Sequence, residues 1–158
     1  MAPEQIPDPW TSFFNEIDAA LNQEGVLHCL GGFVAKTLYA LPCETADVDV
    51  LPLASNPEID SVINAAREGS ELHRKYGVYL QVVGLAPTPE AYESRLTEMF
   101  PGTFKCLRLF ALDPYDPALT KIERNSQRDR DDANHLARMV PFDLEILRNR
   151  FAEELSLI

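Results

Sequence analysis

Asp47-Val48-Asp49-Val50 sets two carboxylates two positions apart in a β-forming run. Strand side chains alternate with period two, so Val48 and Val50 point to one side while Asp47, Asp49 and Leu51 point to the other. The two acids then share a face. With Cα atoms about 6–7 Å apart at the rise of a strand, both side chains can reach one divalent cation. Like charges side by side are destabilising unless something positive sits between them. Mg²⁺ meets that need: one or two carboxylates hold it, and its other positions are left to water and phosphate oxygens.

Upstream, Gly31-Gly32 closes the apolar run VLHCL and opens the segment FVAKTLYAL. A strand that passes through a glycine pair into a helix leaves free backbone N–H groups at the positive helix end. A phosphate can approach there without meeting a Cβ. A phosphate cradle and a pair of metal carboxylates are therefore expected at neighbouring strand ends. The whole block from Val26 to Leu51 reads strand, glycine pair, short helix, strand.

The remaining elements must hold this block in place. Met1 to Pro7 reads as a fraying lead. Asp8-Pro9 reads as N-cap and first helical position, with Trp10, Phe13, Phe14, Ile17 and Leu21 as a core stripe in a helix ending near Gly25. Ser55-Asn56-Pro57 starts a helix with Ile59, Val62, Ile63 and Ala66 inward, interrupted at Gly69 and followed by SELHRKYG. VYLQVV, from Val78 to Val83, predicts a further strand, with Tyr76 and Tyr79 as packing residues near its start. Pro87-Thr88-Pro89 marks a turn, with Thr88 capping a short helix through Tyr92 and Leu96. Thr103 to Leu112 alternates as a strand or hairpin arm.

The last third reads as helical. Asp113, Pro114 and Asp116 are three start signals for a helix through Arg124. Asn125-Ser126-Gln127 breaks it, Asp129 caps a second helix that Pro141 ends, and Asp143 starts a third with Leu144, Leu147, Phe151 and Leu155 inward. The pattern is that of an α/β chain with a helical C-terminal third. At 158 residues it predicts one domain, with a sheet-containing core over about 8–112 and a helical part over about 113–158.

Composition narrows the function classes. With 46% hydrophobic and 25% charged residues the chain has the make-up of an ordinary globular protein. No apolar run is long enough to span a bilayer and the N-terminus lacks a signal pattern, so neither membrane nor secretion is expected. Cys29, Cys43 and Cys106 lack metal-type spacing and suit reduced thiols in the cytoplasm. A net charge of −11 disfavours a broad nucleic-acid-binding surface. His28 reads as a core histidine, and His73 and His135 have no partners at metal spacing.

One basic cluster stands out in this acidic chain, within TKIERNSQRDRDDA. Lys121 and Arg124 share a helix face, and a lysine point charge beside an arginine fork suits a triphosphate. The alternative is a solvated face on which Arg124, Arg128 and Arg130 pair with Asp129, Asp131 and Asp132.

Gly-Gly, a short helix and then Thr45-x-Asp47-x-Asp49 resembles the signature of the nucleotidyltransferase superfamily. The likeness is nearest to its minimal AbiEii-like group, often paired with a partner protein in bacterial toxin–antitoxin modules. The resemblance implies a mixed β-sheet flanked by helices. It implies a catalytic, metal-binding pair in Asp47 and Asp49, and nucleotide held by Gly31, Gly32 and Thr45. The group also carries Lys-hydrophobic-x-Arg followed by Arg-Asp-x-x-Asp. Here these match Lys121-Ile122-Glu123-Arg124 and Arg128-Asp129-Arg130-Asp131-Asp132, which implies catalytic charge from Lys121 and nucleotide contacts from Arg124 and Arg128. The implied cofactor is Mg²⁺ or Mn²⁺ and the implied substrate an NTP. The implied partners are a cognate antitoxin, an acceptor protein or an RNA acceptor.

Two positions depart from that pattern. The group has an arginine two residues before the threonine, where this chain has Cys43. Full nucleotidyltransferases place a third acid on an adjacent strand, and VYLQVV offers Gln81 there. A glutamine can give a carbonyl oxygen to a metal but cannot take a proton from an attacking hydroxyl.

Overall fold

The computed structural model describes residues 6–39, 45–51, 57–83, 91–139 and 142–155. They fall into two compact units, Met1–Gly84 with Glu98–Ala111, and Leu85–Thr97 with Leu112–Ile158. The first holds the sheet and its core. The second is mainly helical.

The chain opens with α1 (Trp10–Ala20), followed by β1 (Gly25–Leu30), α2 (Gly32–Tyr39) and β2 (Asp47–Val50). Next come α3 (Pro57–Ala66), α4 (Glu71–Tyr76) and β3 (Tyr79–Val82). A 3-10 turn at Tyr92–Arg95 precedes β4 (Thr97–Met99) and β5 (Leu107–Ala111). The five strands form one mixed sheet in the order β3-β2-β1-β5-β4. β1 runs antiparallel to β2 and parallel to β5, and β2 runs parallel to β3. The expected α/β architecture, a mixed sheet with flanking helices and a helical C-terminal part, is what the chain adopts.

Alternation sorts the sheet residues cleanly. Leu27, Cys29, Val48, Val50, Leu80, Leu107, Leu109 and Ala111 are all buried in one core cluster with Trp10, Phe13, Phe14, Ile17 and Phe33. The aromatic rings interlock: Trp10 lies 4.7 Å from Phe33 and Phe13 meets Phe14 edge-on at 5.3 Å, in the offset geometries that ring quadrupoles favour. Tyr76 meets Phe13 edge-on at 6.3 Å, a packing role as expected. With one sheet face and the α1 stripe committed to this core, the acids of β2 are left on the other face.

Several boundaries differ from the sequence reading. Asp8 does not cap α1: the cap position is Pro9, with no side-chain hydrogen bond, and Asp8 Oδ1 accepts instead from Ser12 Oγ at 3.4 Å. The helix stops at Ala20, because Leu21 turns extended and puts its side chain into the core. The strand expected from Thr103 starts only at Leu107. Asp18 takes the backbone N–H groups of Lys105, Cys106 and Leu107 at 3.0, 2.7 and 2.8 Å, so the donors of this segment are bound to α1, and only the Cys106 carbonyl, which accepts the Gly25 N–H at 2.9 Å, reaches β1 ahead of Leu107. The short strand β4 was not expected. The turn at Pro87-Thr88-Pro89 and the start at Ser55-Asn56 lie outside the described residues.

Three converging N–H donors outweigh the burial of the Asp18 carboxyl and hold it below the usual carboxylate range. Its stabilising contribution is therefore present above the unfolded value and is lost as pH falls through the lower folded value. Asp18→Ala is expected to cost about 1–2 kcal/mol. Urea melts at pH 7 and pH 3 check this: the gap between parent and variant should narrow at the lower pH.

The second unit is built on α5 (Tyr115–Arg124), α6 (Gln127–Met139) and α7 (Leu144–Arg150), the last running on as a wider turn through Phe151–Leu155. Asp113 caps α5 by accepting the Tyr115 N–H at 3.0 Å, and Asp143 caps α7 by accepting the Glu145 N–H at 2.8 Å, both as the sequence signals indicate. Asn125 breaks the chain between α5 and α6 with φ +52°, a conformation asparagine tolerates better than most residues. α6 begins at Gln127, so Asp129 lies inside its first turn and not ahead of it. Leu144, expected inward, is 59% exposed. The covered side of this helix is set by Arg150 and Glu154, one turn apart, which reach Asp113 and Arg95. Pro141 and the Leu155 side chain lie outside the described residues.

Candidate functional site

β1 ends at Leu30, directly opposite Asp49 in the antiparallel register with β2. The chain then turns through Gly31 at φ +84° and enters α2 at Gly32, where the first helical hydrogen bond runs from Ala35 N–H to the Gly31 carbonyl at 3.1 Å. An added Cβ on Gly31 would lie 2.4 Å from Asp49 Oδ2. That distance places the acid against the bare backbone of the turn. At Gly32 the same construction meets only Thr45, at 3.6 Å, an ordinary contact. The two glycines therefore differ: the first is required by both conformation and space, the second by neither.

Asp47 and Asp49 are half-buried while Val48 and Val50 between and beside them are fully buried, so the acids share the non-core face. Thr45 stands at the head of β2. Its hydroxyl donates to Asp47 Oδ1 at 2.8 Å and accepts the Asp47 N–H at 3.4 Å. This clamp fixes one carboxylate oxygen. Cys29, on the core side of β1, has its thiol pushed up to about 12 by burial, with the charge of Asp49 adding to the effect. It is an inert thiol.

The parallel register of β2 with β3 sets Tyr79 beside Asp47 and Gln81 beside Asp49. Gln81 is exposed and stands at the position where the sequence comparison looked for a third acid. Tyr79, read from the sequence as packing, is instead a neighbour of the acid pair. Partial burial and the charges of Asp47, Glu68 and Asp49 raise its phenol, so it stays protonated at neutral pH. The signal was present in the sequence, since Tyr79 is two residues before Gln81 and alternation places both on one face. His73 lies against Tyr79 with the rings tilted and their centroids 4.6 Å apart, and it accepts the Gly69 N–H through Nδ1 at 2.9 Å, which makes it part of a loop fold. His28 is buried and meets Phe110 edge-on at 6.4 Å, but alternation puts it on the sheet face opposite the core cluster that holds Leu27 and Cys29.

Among the described residues no group of three or more His, Cys, Asp or Glu is placed to hold a metal ion. The sheet face offers two carboxylates and the amide of Gln81, all hard oxygen donors. That set fits Mg²⁺ or Mn²⁺, which need only one or two protein carboxylates when substrate phosphates and water complete the shell.

The other residues singled out from the sequence belong to the second unit. Lys121 and Arg124 lie in the last turns of α5, and their side chains fall outside the described residues, as do those of Asp129 and Asp132. Arg128 is exposed in the first turn of α6. Arg130 donates to the Asn125 carbonyl at 2.8 Å and to Gln127 Oε1 at 2.8 Å, which ties the turn between the two helices. Cys43 lies outside the described residues. No described helix is long and apolar enough to cross a membrane.

A search of curated proteins and a search of solved structures returned no match. A family model described as nucleotidyltransferase of unknown function (DUF6036) matches residues 16–158. The match takes in the glycine turn, the acid strand and the α5–α6 pair, and it carries with it a nucleotide as substrate. The chain thus belongs to the DUF6036 family of nucleotidyltransferases.

Proposed function

We propose that this chain is a metal-dependent nucleotidyltransferase that moves a nucleoside monophosphate from an NTP to a hydroxyl on a protein or RNA acceptor. In this reading it acts in the cytoplasm as the AbiEii-like toxin of a toxin–antitoxin pair, with a cognate antitoxin as its partner. The observation that carries the enzymatic part is the contact of the bare Gly31 turn with the Asp49 carboxylate, on the face that Asp47 shares.

Asp47 and Asp49 would hold Mg²⁺ or Mn²⁺, which when bound supplies positive charge to the phosphates during in-line displacement. The chain's own groups do the rest. Backbone N–H groups after Gly31 receive phosphate oxygens at the helix end, and the Thr45 hydroxyl holds one oxygen of Asp47 in place. The resemblance alone assigns Lys121, Arg124 and Arg128 as positive charge for a triphosphate.

Gln81 favours a second reading, in which the domain binds nucleotide or a partner protein without turnover, because the amide has no basic site for the acceptor proton. α-Labelled NTPs with Mg²⁺ separate the two, using Asp47→Ala as control. Label transfer by the parent and none by the variant supports the enzyme. An NTP-dependent thermal shift without transfer by either supports the binder and ends the first reading.

The Thr45 clamp has its own consequence. Groups that orient a metal ligand typically carry a 10–100-fold effect on metal affinity. Thr45→Val is expected to weaken Mn²⁺ binding about tenfold, and Thr45→Ser to restore it, as read by electron paramagnetic resonance of free Mn²⁺. Equal affinity in the valine variant would show that the hydroxyl merely finishes the strand.

A further inference from the structure

We propose that the acceptor is an extended polypeptide segment that lies in the groove along the outer edge of β3 and presents a hydroxyl side chain across Gln81 to Asp49. This rests on the reading above that the acid pair is the transfer site, and it names the acceptor class which that reading leaves open.

The groove encloses about 320 Å³. Asn64, Arg67 and Glu68 of α3 and its following turn form one wall, and Tyr79 to Val82 form the other. β3 is an end strand of the sheet. Its Tyr79 and Val83 N–H groups donate inward to the carbonyls of Ala46 and Val50 at 3.0 and 3.1 Å. Alternation along the strand then turns the backbone groups of Leu80 and Val82 outward. Those of Leu80 meet Arg67 in a single parallel bridge. Val82 is paired with Val50 on its inner side, but among the described residues no strand lies on its outer side, and its side chain is 43% exposed.

Val82 therefore offers one donor, one acceptor and an apolar surface at an open edge. This is what an extended peptide recognises when it adds to a sheet. Asn64 and Gln81, both exposed, add two primary amides, each able to give and accept a hydrogen bond from a peptide group. The edge also leads to the chemistry, since Gln81 is paired with Asp49 on the next strand, about 4.8 Å inward.

Charge favours polypeptide over RNA. An RNA is gripped chiefly through its phosphates by clustered lysine and arginine. This groove sets one arginine, Arg67, against one glutamate, Glu68, on a chain of net charge −11. A neutral or basic peptide meets no such penalty.

In the transfer the acceptor oxygen forms a bond to the α-phosphorus while the bond from that phosphorus to its bridging oxygen breaks. Pyrophosphate leaves with the electron pair. The hydroxyl proton passes to water at the exposed Gln81, whose amide cannot hold it.

The test offers α-labelled NTP and Mg²⁺ to the full chain with two probes: arrayed 12-residue peptides, each with one Ser, Thr or Tyr among neutral and basic residues, and a pool of single-stranded RNA oligonucleotides. Labelled peptides and unlabelled RNA are expected. Val82→Pro, which removes the outward N–H at an edge where proline is tolerated, should lower peptide labelling at least tenfold, while the thermal shift produced by NTP alone persists. If Val82→Pro does not fold, Asn64→Ala on the opposite wall serves in its place, with a several-fold loss expected.

The proposal is overturned by label in RNA alone, by no label in either probe, or by a folded variant that labels peptides as the parent does. The absence of any NTP-dependent thermal shift in the parent would instead bring down the underlying nucleotidyltransferase reading.

Discussion

Gly31→Ala is expected to abolish nucleotide transfer as completely as Asp47→Ala does, while Gly32→Ala stays within a few-fold of the parent. At Gly31 two effects coincide. The residue sits at φ +84°, where an alanine costs about 1–2 kcal/mol. The new methyl would also fall 2.4 Å from Asp49 Oδ2, so the carboxylate must swing away. A carboxylate swings at small energetic expense, so the fold survives. The site does not, because the two acids no longer converge, and displacements of about 1 Å in a catalytic array can cost a hundredfold in rate. Gly32 has no positive φ and a Cβ there would meet Thr45 at 3.6 Å, an ordinary contact. Initial rates of label transfer together with melting curves check the contrast. A Gly31→Ala variant that folds and keeps more than a tenth of the parent rate would mean that Asp49 is not held against the turn for catalysis.

The sequence exposes this site well because its geometry is local. The face shared by Asp47 and Asp49 follows from period two alone, and Val48 and Val50 sit between and after them as a built-in check, since both had to be core residues and both are. Gly31 is legible as a turn, and Asp113 and Asp143 announce their helices because capping acts across two or three residues. What stayed hidden depends on partners far along the chain. Asp18 looks like one more polar position on an amphipathic helix, yet it binds three backbone N–H groups nearly ninety residues away and so delays the start of β5. β4 is three residues long and is followed by Phe100 at φ +52°, too brief a pattern for alternation to register. Leu144 fits the same apolar stripe as Leu147 and Phe151, which are half-buried, but it is the first residue of its helix and stands 59% exposed. Gln81 is the instructive case. Its place beside the acid pair was legible, and the register of β3 confirms it, but no spacing rule says what an amide there does.

Arg95→Met is expected to cost the second unit about 3–5 kcal/mol, the usual effect of removing one partner from a buried ion pair. Asp116 reads from the sequence as an acid placed to favour the start of α5, but it is fully buried and bound by Arg95 through two hydrogen bonds, at 2.6 and 3.1 Å. The same guanidinium binds Glu154 through two more, both at 3.1 Å. Arg150 adds a bond to Asp113 at 3.1 Å and lies over the Tyr115 ring. One arginine from the 3-10 turn thus joins α5 to the end of α7. The hydrogen bonds to Asp116 hold the Arg95 guanidinium firmly protonated against the opposing effect of its burial, with Glu154 adding to them. Methionine fills most of the volume but leaves the Asp116 charge without its main partner, so the melting temperature of this unit should fall by more than about 10 °C. Adding Asp116→Leu to Arg95→Met should recover a good part of that loss, because the variant then buries no unpaired acid. Glu154 gives the pH signature. Burial works against its charge, but the Arg95 hydrogen bond and the Ala91 N–H outweigh it and hold its carboxyl below the usual range. Its contribution is therefore present above the unfolded carboxylate value and disappears as pH falls through the lower folded value. The parent should lose stability in that acid window and Arg95→Met should lose less of it. If the double variant is no more stable than the single, the cluster holds the helices by packing, and the charge on Arg95 is incidental.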